Sequence, residues 1–290
     1  MSRFRRFVLR WSHEESYRAL SYGFVVRTNH RAARRRLRPL LEPFRAGTNG
    51  GPVSTYSLLH RRRRHRTRFV VRRDGETVLR SDRMEAAVDQ VIWEVHDDAI
   101  RASDRFLALH AAGASFGDRG LLFPAAPNSG KSTLVAALMR RGFAFLTDEY
   151  AIVDLERQRL HPYPRPLWLT PGALGMLVAR GATVPERFTK GNGVKHFVPA
   201  EAIRAGAVGA PCRVRYVIVP DYDPGGPTAI EPLSRGWVLM QLADEAFNFG
   251  AFGARGLAAL RDLVAGADCY RLQISDIDEA VGVVRELVGG

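Results

Sequence analysis

The nine residues Ala125-Ala-Pro-Asn-Ser-Gly-Lys-Ser-Thr133 constrain this chain most, because they read as a phosphate-binding loop running into a helix. The consensus is G-x-x-x-x-G-K-[ST], and only its first position departs, with Ala125 in place of Gly. Such a loop curls backbone N–H groups around a phosphate and aims a helix N-terminus at it. The flanks come in the required order. Gly120-Leu-Leu-Phe-Pro124 is an apolar run fit for a buried strand, and Leu134, Val135, Leu138 and Met139 recur at helical spacing. Gly142 follows the last periodic residue, where a left-handed cap belongs. Asn128, Ser129, Gly130, Lys131, Ser132 and Thr133 are therefore the candidate phosphate-binding residues. Lys131 is expected on the outer phosphates and the Ser132 hydroxyl on Mg²⁺.

Charge divides the chain. Of 43 basic residues only Lys131, Lys190 and Lys195 are lysines, an arginine bias that suggests codon pressure more than chemistry. Residues 1–80 hold 21 Arg against 5 acids, a net +16; the remainder has 22 basic and 25 acidic residues, a net −3. The densest run, Arg61-Arg-Arg-Arg-His-Arg-Thr-Arg68, reads first as a solvated loop. It could also grip nucleic acid, an acidic peptide or a membrane surface. No zinc ligand set or aromatic RNA-binding signature accompanies it, so nucleic acid is the weaker reading. No apolar run approaches a membrane span, and the basic N-terminus lacks the apolar stretch of a secretory signal. Cys212 and Cys269 are too few for a disulfide framework. A cytoplasmic protein is expected, with its oligomeric state, a homo-oligomer included, left open.

An Arg-rich α+β accessory region is expected over residues 1–104, ahead of an α/β catalytic domain over 105–290. Arg68–Arg73, the Asp74-Gly75 turn and Glu76–Arg80 form a hairpin signal. Asp82 and Glu85 suggest a capping pair opening a helix whose face carries Val88, Val91, Ile92, Val95 and Ala99. Phe106–Phe116 and Phe143–Val153 read as strands, Asp154–His161 as a hairpin and Arg213–Val219 as a strand. Helices are expected near 235–247, 254–264 and 277–287, the last capped by Asp276.

Thr147-Asp148-Glu149 puts two carboxylates after the loop helix, beside the phosphates if their strand lies next to the loop strand. One carboxylate can hold Mg²⁺ while the other accepts a hydroxyl proton. His110, in the strand before the loop, reads first as a satisfied core residue and only second as a catalytic or phosphate-contacting group. The segment Lys190-Gly-Asn-Gly-Val-Lys195 reads either as a plain surface loop or as one that closes over the transferring phosphoryl group.

Leu109-His-Ala-Ala-Gly113, Asn128-Ser-Gly-Lys-Ser-Thr133, Leu146-Thr-Asp-Glu149 and Tyr150-Ala-Ile-Val-Asp154 together resemble the catalytic domain of HPr kinase/phosphorylase. The similarity runs over roughly residues 68–288 and is stronger still to the bacterial HPr-kinase-related group. It implies the P-loop kinase fold shared with phosphoenolpyruvate carboxykinase, and an ATP- and Mg²⁺-dependent serine kinase acting on a small carrier protein or a precursor peptide. On this resemblance His110 becomes a catalytic residue, Asp148 the base toward the serine hydroxyl, and Glu149 a metal neighbour with Ser132. The family's Asp-Asp pair is Asp148-Glu149 here, and its Asn-x-Arg segment is not found; Lys195 is the candidate to replace that charge. Whether HPr is the acceptor and whether the reverse phosphorylase reaction runs are therefore left open. The competing readings are a small-molecule hydroxyl kinase on the same fold and a nucleotide-switched binding protein.

Overall fold

A computed structural model describes residues 11–46, 54–63, 66–126, 129–189 and 196–289. The chain divides into two compact units, Met1–Ala102 and Ser103–Gly290. No helix among the described residues is long and apolar enough to cross a membrane.

The first unit is one sheet with two helices. Its strands are β1 (His13–Ala19), β2 (Tyr22–Thr28), β3 (Ser54–Arg63), β4 (Arg66–Arg73) and β5 (Glu76–Ser81), paired in that order. All neighbours are antiparallel except β2 and β3, which are parallel and joined through helix α1 (Arg31–Leu41). Helix α1 turns Ala33, Leu37, Leu40 and Leu41 inward beneath an arginine-covered face. Helix α2 (Met84–Arg101) packs on β3, β4 and β5 through Val88, Val91, Ile92 and Val95. Two expectations are corrected here. Arg61–Arg63 and Arg66–Arg68 are strand residues in register rather than a loop, because Leu58↔Val71 and Leu59↔Val70 in the same pairing zip the hairpin from its buried end. Asp82 does not cap α2: Arg83 holds the N-cap position without a side-chain bond, and the Ser81 hydroxyl accepts from the Arg83 amide at 3.0 Å.

The second unit is built on a sheet of eight strands. Its early elements are β6 (Phe106–Phe116), β7 (Arg119–Pro124), α3 (Lys131–Arg140), β8 (Ala144–Thr147), β9 (Tyr150–Asp154) and β10 (Arg159–His161). There follow β11 (Leu167–Leu169), α4 (Pro171–Ala179), α5 (Glu186–Thr189), β12 (His196–Val198) and α6 (Ala200–Ile203). The chain closes with β13 (Arg213–Tyr222), β14 (Ala229–Pro232), α7 (Arg235–Asp244), α8 (Phe249–Ala265), β15 (Asp268–Ile274) and α9 (Ile277–Gly289).

The sheet order is β10-β9-β6-β7-β13-β15-β14, with β8 also paired to β6 and β11–β12 forming a separate ribbon. Strands β7, β13 and β15 run parallel, so the loop after β7 and the start of α9 after β15 emerge at the same edge. That edge, outside the carboxyl ends of parallel strands, is where α/β sheets take ligands. Gly120 permits the pairing: a Cβ there would stand 2.7 Å from the Arg213 carbonyl oxygen and 2.8 Å from Cys212 Sγ. The core holds Leu107, Leu109, Leu122, Leu146, Val217 and Leu260, together with both free thiols, Cys212 and Cys269.

The expected strand 143–153 is broken. β8 pairs with β6 at Gly113↔Thr147 and β9 resumes at His110↔Tyr150, leaving Asp148 and Glu149 between the two. These strands lie against β6, not against the loop strand β7, so the acids reach the loop from one strand further away. Helix α8 starts earlier than its apolar pattern suggests and is kinked where Gly253 takes φ 48° and ψ −126°. The Asp276 cap is present, its Oδ1 accepting from the amides of Asp278 at 2.8 Å and Glu279 at 3.0 Å.

Candidate functional site

The loop narrows onto α3 through Gly130, whose φ of +89° suits a residue without a Cβ. Leu134, Val135, Leu138 and Met139 anchor the helix in the core. Lys131 is only 7% exposed and folds back over the loop, its Nζ donating to the carbonyl of Ala126 at 2.9 Å and to that of Ala125. These carbonyl oxygens compensate the burial of the ammonium. Ser132 and Thr133 follow in the first turn of α3, lining the cleft described below. Asn128 lies outside the described residues, as do Lys190 to Lys195, so the structure says nothing of either.

His110 is the only imidazole on β6, and it is held at two points by the turn after α7. Its amide donates to the Glu245 carbonyl at 2.7 Å, and its Nδ1 meets Glu245 Oε2 at 2.7 Å. Burial lowers the His110 pKa below 6.5, and the Lys131 charge lowers it further, against opposing pulls from Glu245 and Asp148. The ring is therefore neutral at pH 7. Because a carboxylate can only accept, Nδ1 carries the proton and Nε2 is the free acceptor. Phe247 covers the ring edge-on at 5.6 Å.

Asp148 is 4% exposed and its two oxygens differ. Oδ2 accepts from the Trp168 backbone amide at 2.9 Å, while Oδ1 is buried without a hydrogen-bond partner among the described residues. An unpartnered buried carboxylate oxygen is expensive, which suits a position completed by a hydroxyl donor or a cation. Glu149 Oε2 is gripped by the Arg165 guanidinium, and Oε1 receives no hydrogen bond from a described residue. Arg165 is itself buried, with its guanidinium 5.2 Å from the Tyr150 ring and 5.9 Å from Trp168. Burial pulls its pKa down to about 10, against the Asp148 charge, which keeps it a cation at neutral pH.

The structure thus brings His110 within electrostatic reach of both Lys131 and Asp148 and ties Glu149 to Arg165. Sequence reading missed Arg165, Glu245 and Trp168. Arg165 carries one local signal, its place in Pro164-Arg165-Pro166, where two fixed φ values hold the backbone. Among the described residues no three His, Cys, Asp or Glu side chains form a metal cage. Mg²⁺ needs none, since it is commonly held by one or two protein oxygens plus phosphates. A cleft of about 470 Å³ adjoins the loop between Gly130–Thr133, Trp168, Met176, Tyr222 and Ser275–Ile277. Its size and its mixture of aromatic walls with polar groups match a nucleoside-sized ligand.

No family model matches this chain, and no curated protein matches it. Among solved structures, an HPr(Ser) kinase/phosphatase from Coxiella burnetii is similar over 63% of this chain and 99% of its own. The identity is 14% and the TM-score 0.33.

Proposed function

We propose that this chain is an ATP- and Mg²⁺-dependent kinase transferring the γ-phosphate to a serine-type hydroxyl of a peptide or small protein. The observation that carries it is the buried Oδ1 of Asp148, without a partner among the described residues, on a carboxylate that together with Lys131 acts on a neutral His110. In this reading the nucleoside occupies the cleft along Trp168 and Tyr222, and the loop amides of residues 128–133 hold the phosphates. Lys131 exchanges its carbonyl partners for the outer phosphate oxygens. Asp148 Oδ1 accepts the hydroxyl proton as the oxygen attacks, and the Trp168 amide fixes the carboxylate for that task. His110 offers Nε2 toward the acceptor while Glu245 sets its tautomer. Ser132 and Glu149 would hold Mg²⁺, which would supply charge neutralisation on the phosphates. Lys195 is assigned to the segment that closes over the site.

The test is transfer of label from Mg-ATP into a lysate of the source cells, with Lys131→Ala as the control. Label in a discrete peptide or small-protein band, absent with the variant, supports the proposal. Label confined to small molecules replaces it with a metabolite kinase. ATP binding without transfer makes the chain a nucleotide-switched binding protein.

A further inference from the structure

The β3–β4 hairpin outruns the sheet it belongs to. β2 accompanies β3 only as far as Leu58, and β5 accompanies β4 only as far as Phe69, yet the hairpin pairing continues to Arg63↔Arg66. Asn29 closes the lateral pairing on one side, its amide donating to the His60 carbonyl at 3.1 Å and accepting from the His60 amide at 2.7 Å. Beyond that point the strands have no further lateral partner among the described residues.

On the face turned away from α2, Arg61 stands directly across from Arg68, and Arg80 opposite Val70 continues the row onto β5. Arg61, Arg68 and Arg80 are exposed, and Arg72 on the same face is half-buried with an unpartnered Nε. Like charges directly opposite on neighbouring strands repel. Three acids elsewhere in the unit are committed: Glu15 to Arg45 at 3.3 Å, Asp98 to Arg73 at 2.8 Å and Asp97 to Arg101 at 2.7 Å. None of the four arginines in this row has an ion-pair partner among the described residues.

We propose that this arginine row, with the adjoining strand edges that have no lateral partner among the described residues, docks an acidic extended segment of polypeptide. The inference builds on the kinase reading by placing that segment on the phosphate acceptor. Two observations favour polypeptide over nucleic acid. The residues interleaved with the arginines, Leu59 and Val70, are aliphatic and buried, and give bases nothing to stack on. Free backbone groups on a strand edge pair with another extended chain, a contact that nucleic acid cannot make. Guanidinium groups then take the carboxylates in bidentate pairs.

The test is fluorescence anisotropy, without nucleotide, using a labelled Glu-Thr repeat peptide and a labelled single-stranded oligonucleotide of equal charge. The wild type is expected to bind the peptide, more weakly as salt rises. Arg61→Ser/Arg68→Ser/Arg80→Ser is expected to lose affinity on the order of tenfold, with Arg→Lys at the same positions losing less. Lys131→Ala should bind the peptide as the wild type does, which separates docking from transfer: a chain without kinase activity still reports on this surface. No peptide binding by the wild type, undiminished binding by the triple Ser variant, or tighter binding of the oligonucleotide at matched salt overturns the proposal.

Discussion

His110 and Glu245 are joined twice, once between backbones and once between side chains, each at 2.7 Å. The double contact fixes both the position of the ring on β6 and the nitrogen that carries its proton. Glu245→Gln removes the side-chain influences that oppose burial and the Lys131 charge, so the His110 pKa should fall further below 6.5. NMR titration of the ring reads this directly, and an upward shift would contradict the assignment.

Acid should act through the same residue. The native ring resists protonation, whereas the unfolded chain takes up a proton near pH 6.5. Stability from this group is therefore complete above that pH and declines as pH falls toward the lower native value. His110→Gln should flatten that part of the pH–stability curve, measured by thermal melts in a buffer series. Wild-type slopes in the variant would show that another group is responsible.

Lys131→Ala should abolish nucleotide-dependent transfer, because the loop then lacks its charge on the outer phosphates. Isothermal titration with Mg-ATP should show weakened binding as well. Full activity in this variant is incompatible with the loop assignment.

Asp148→Asn keeps the acceptor for the Trp168 amide but loses basicity at Oδ1. ATP binding should survive while transfer falls by at least ~10²-fold. A near wild-type rate would make Asp148 structural.

Arg165→Leu leaves Glu149 without its partner beneath Tyr150 and Trp168. Breaking a buried pair costs about 3–5 kcal/mol, and the partial exposure of Glu149 places this one near the lower figure. The denaturant midpoint measures it, and an unchanged midpoint would show the pair to be idle.

Strand β7, the turn at Gly130 and helix α3 were legible because an apolar run, a glycine and an apolar stripe at helical spacing are all local signals. So were the Asp74-Gly75 hairpin and the Asp276 cap. The break between Thr147 and Tyr150 was not, since an apolar run does not record which stretch of β6 each half pairs with. Nor was α1, whose four buried residues are outnumbered by arginines on its outer face. Arg165 and Glu245 gain their meaning from contacts made across the fold, to Glu149 and His110, which no local pattern announces.

The parallel run of β7, β13 and β15 also bears on how the chain is made. Leu122 emerges from the ribosome long before Val217, the residue it will lie beside. Until then β7 has β6 on one flank and nothing on the other, with Leu121, Leu122 and Phe123 along a bare edge. Pairings of such sequence separation close late in folding. A chain halted or clipped ahead of Arg213 would carry this open strand permanently, and open apolar strands recruit other copies. The loop that follows β7 thus rests on a strand whose second neighbour only the later chain supplies.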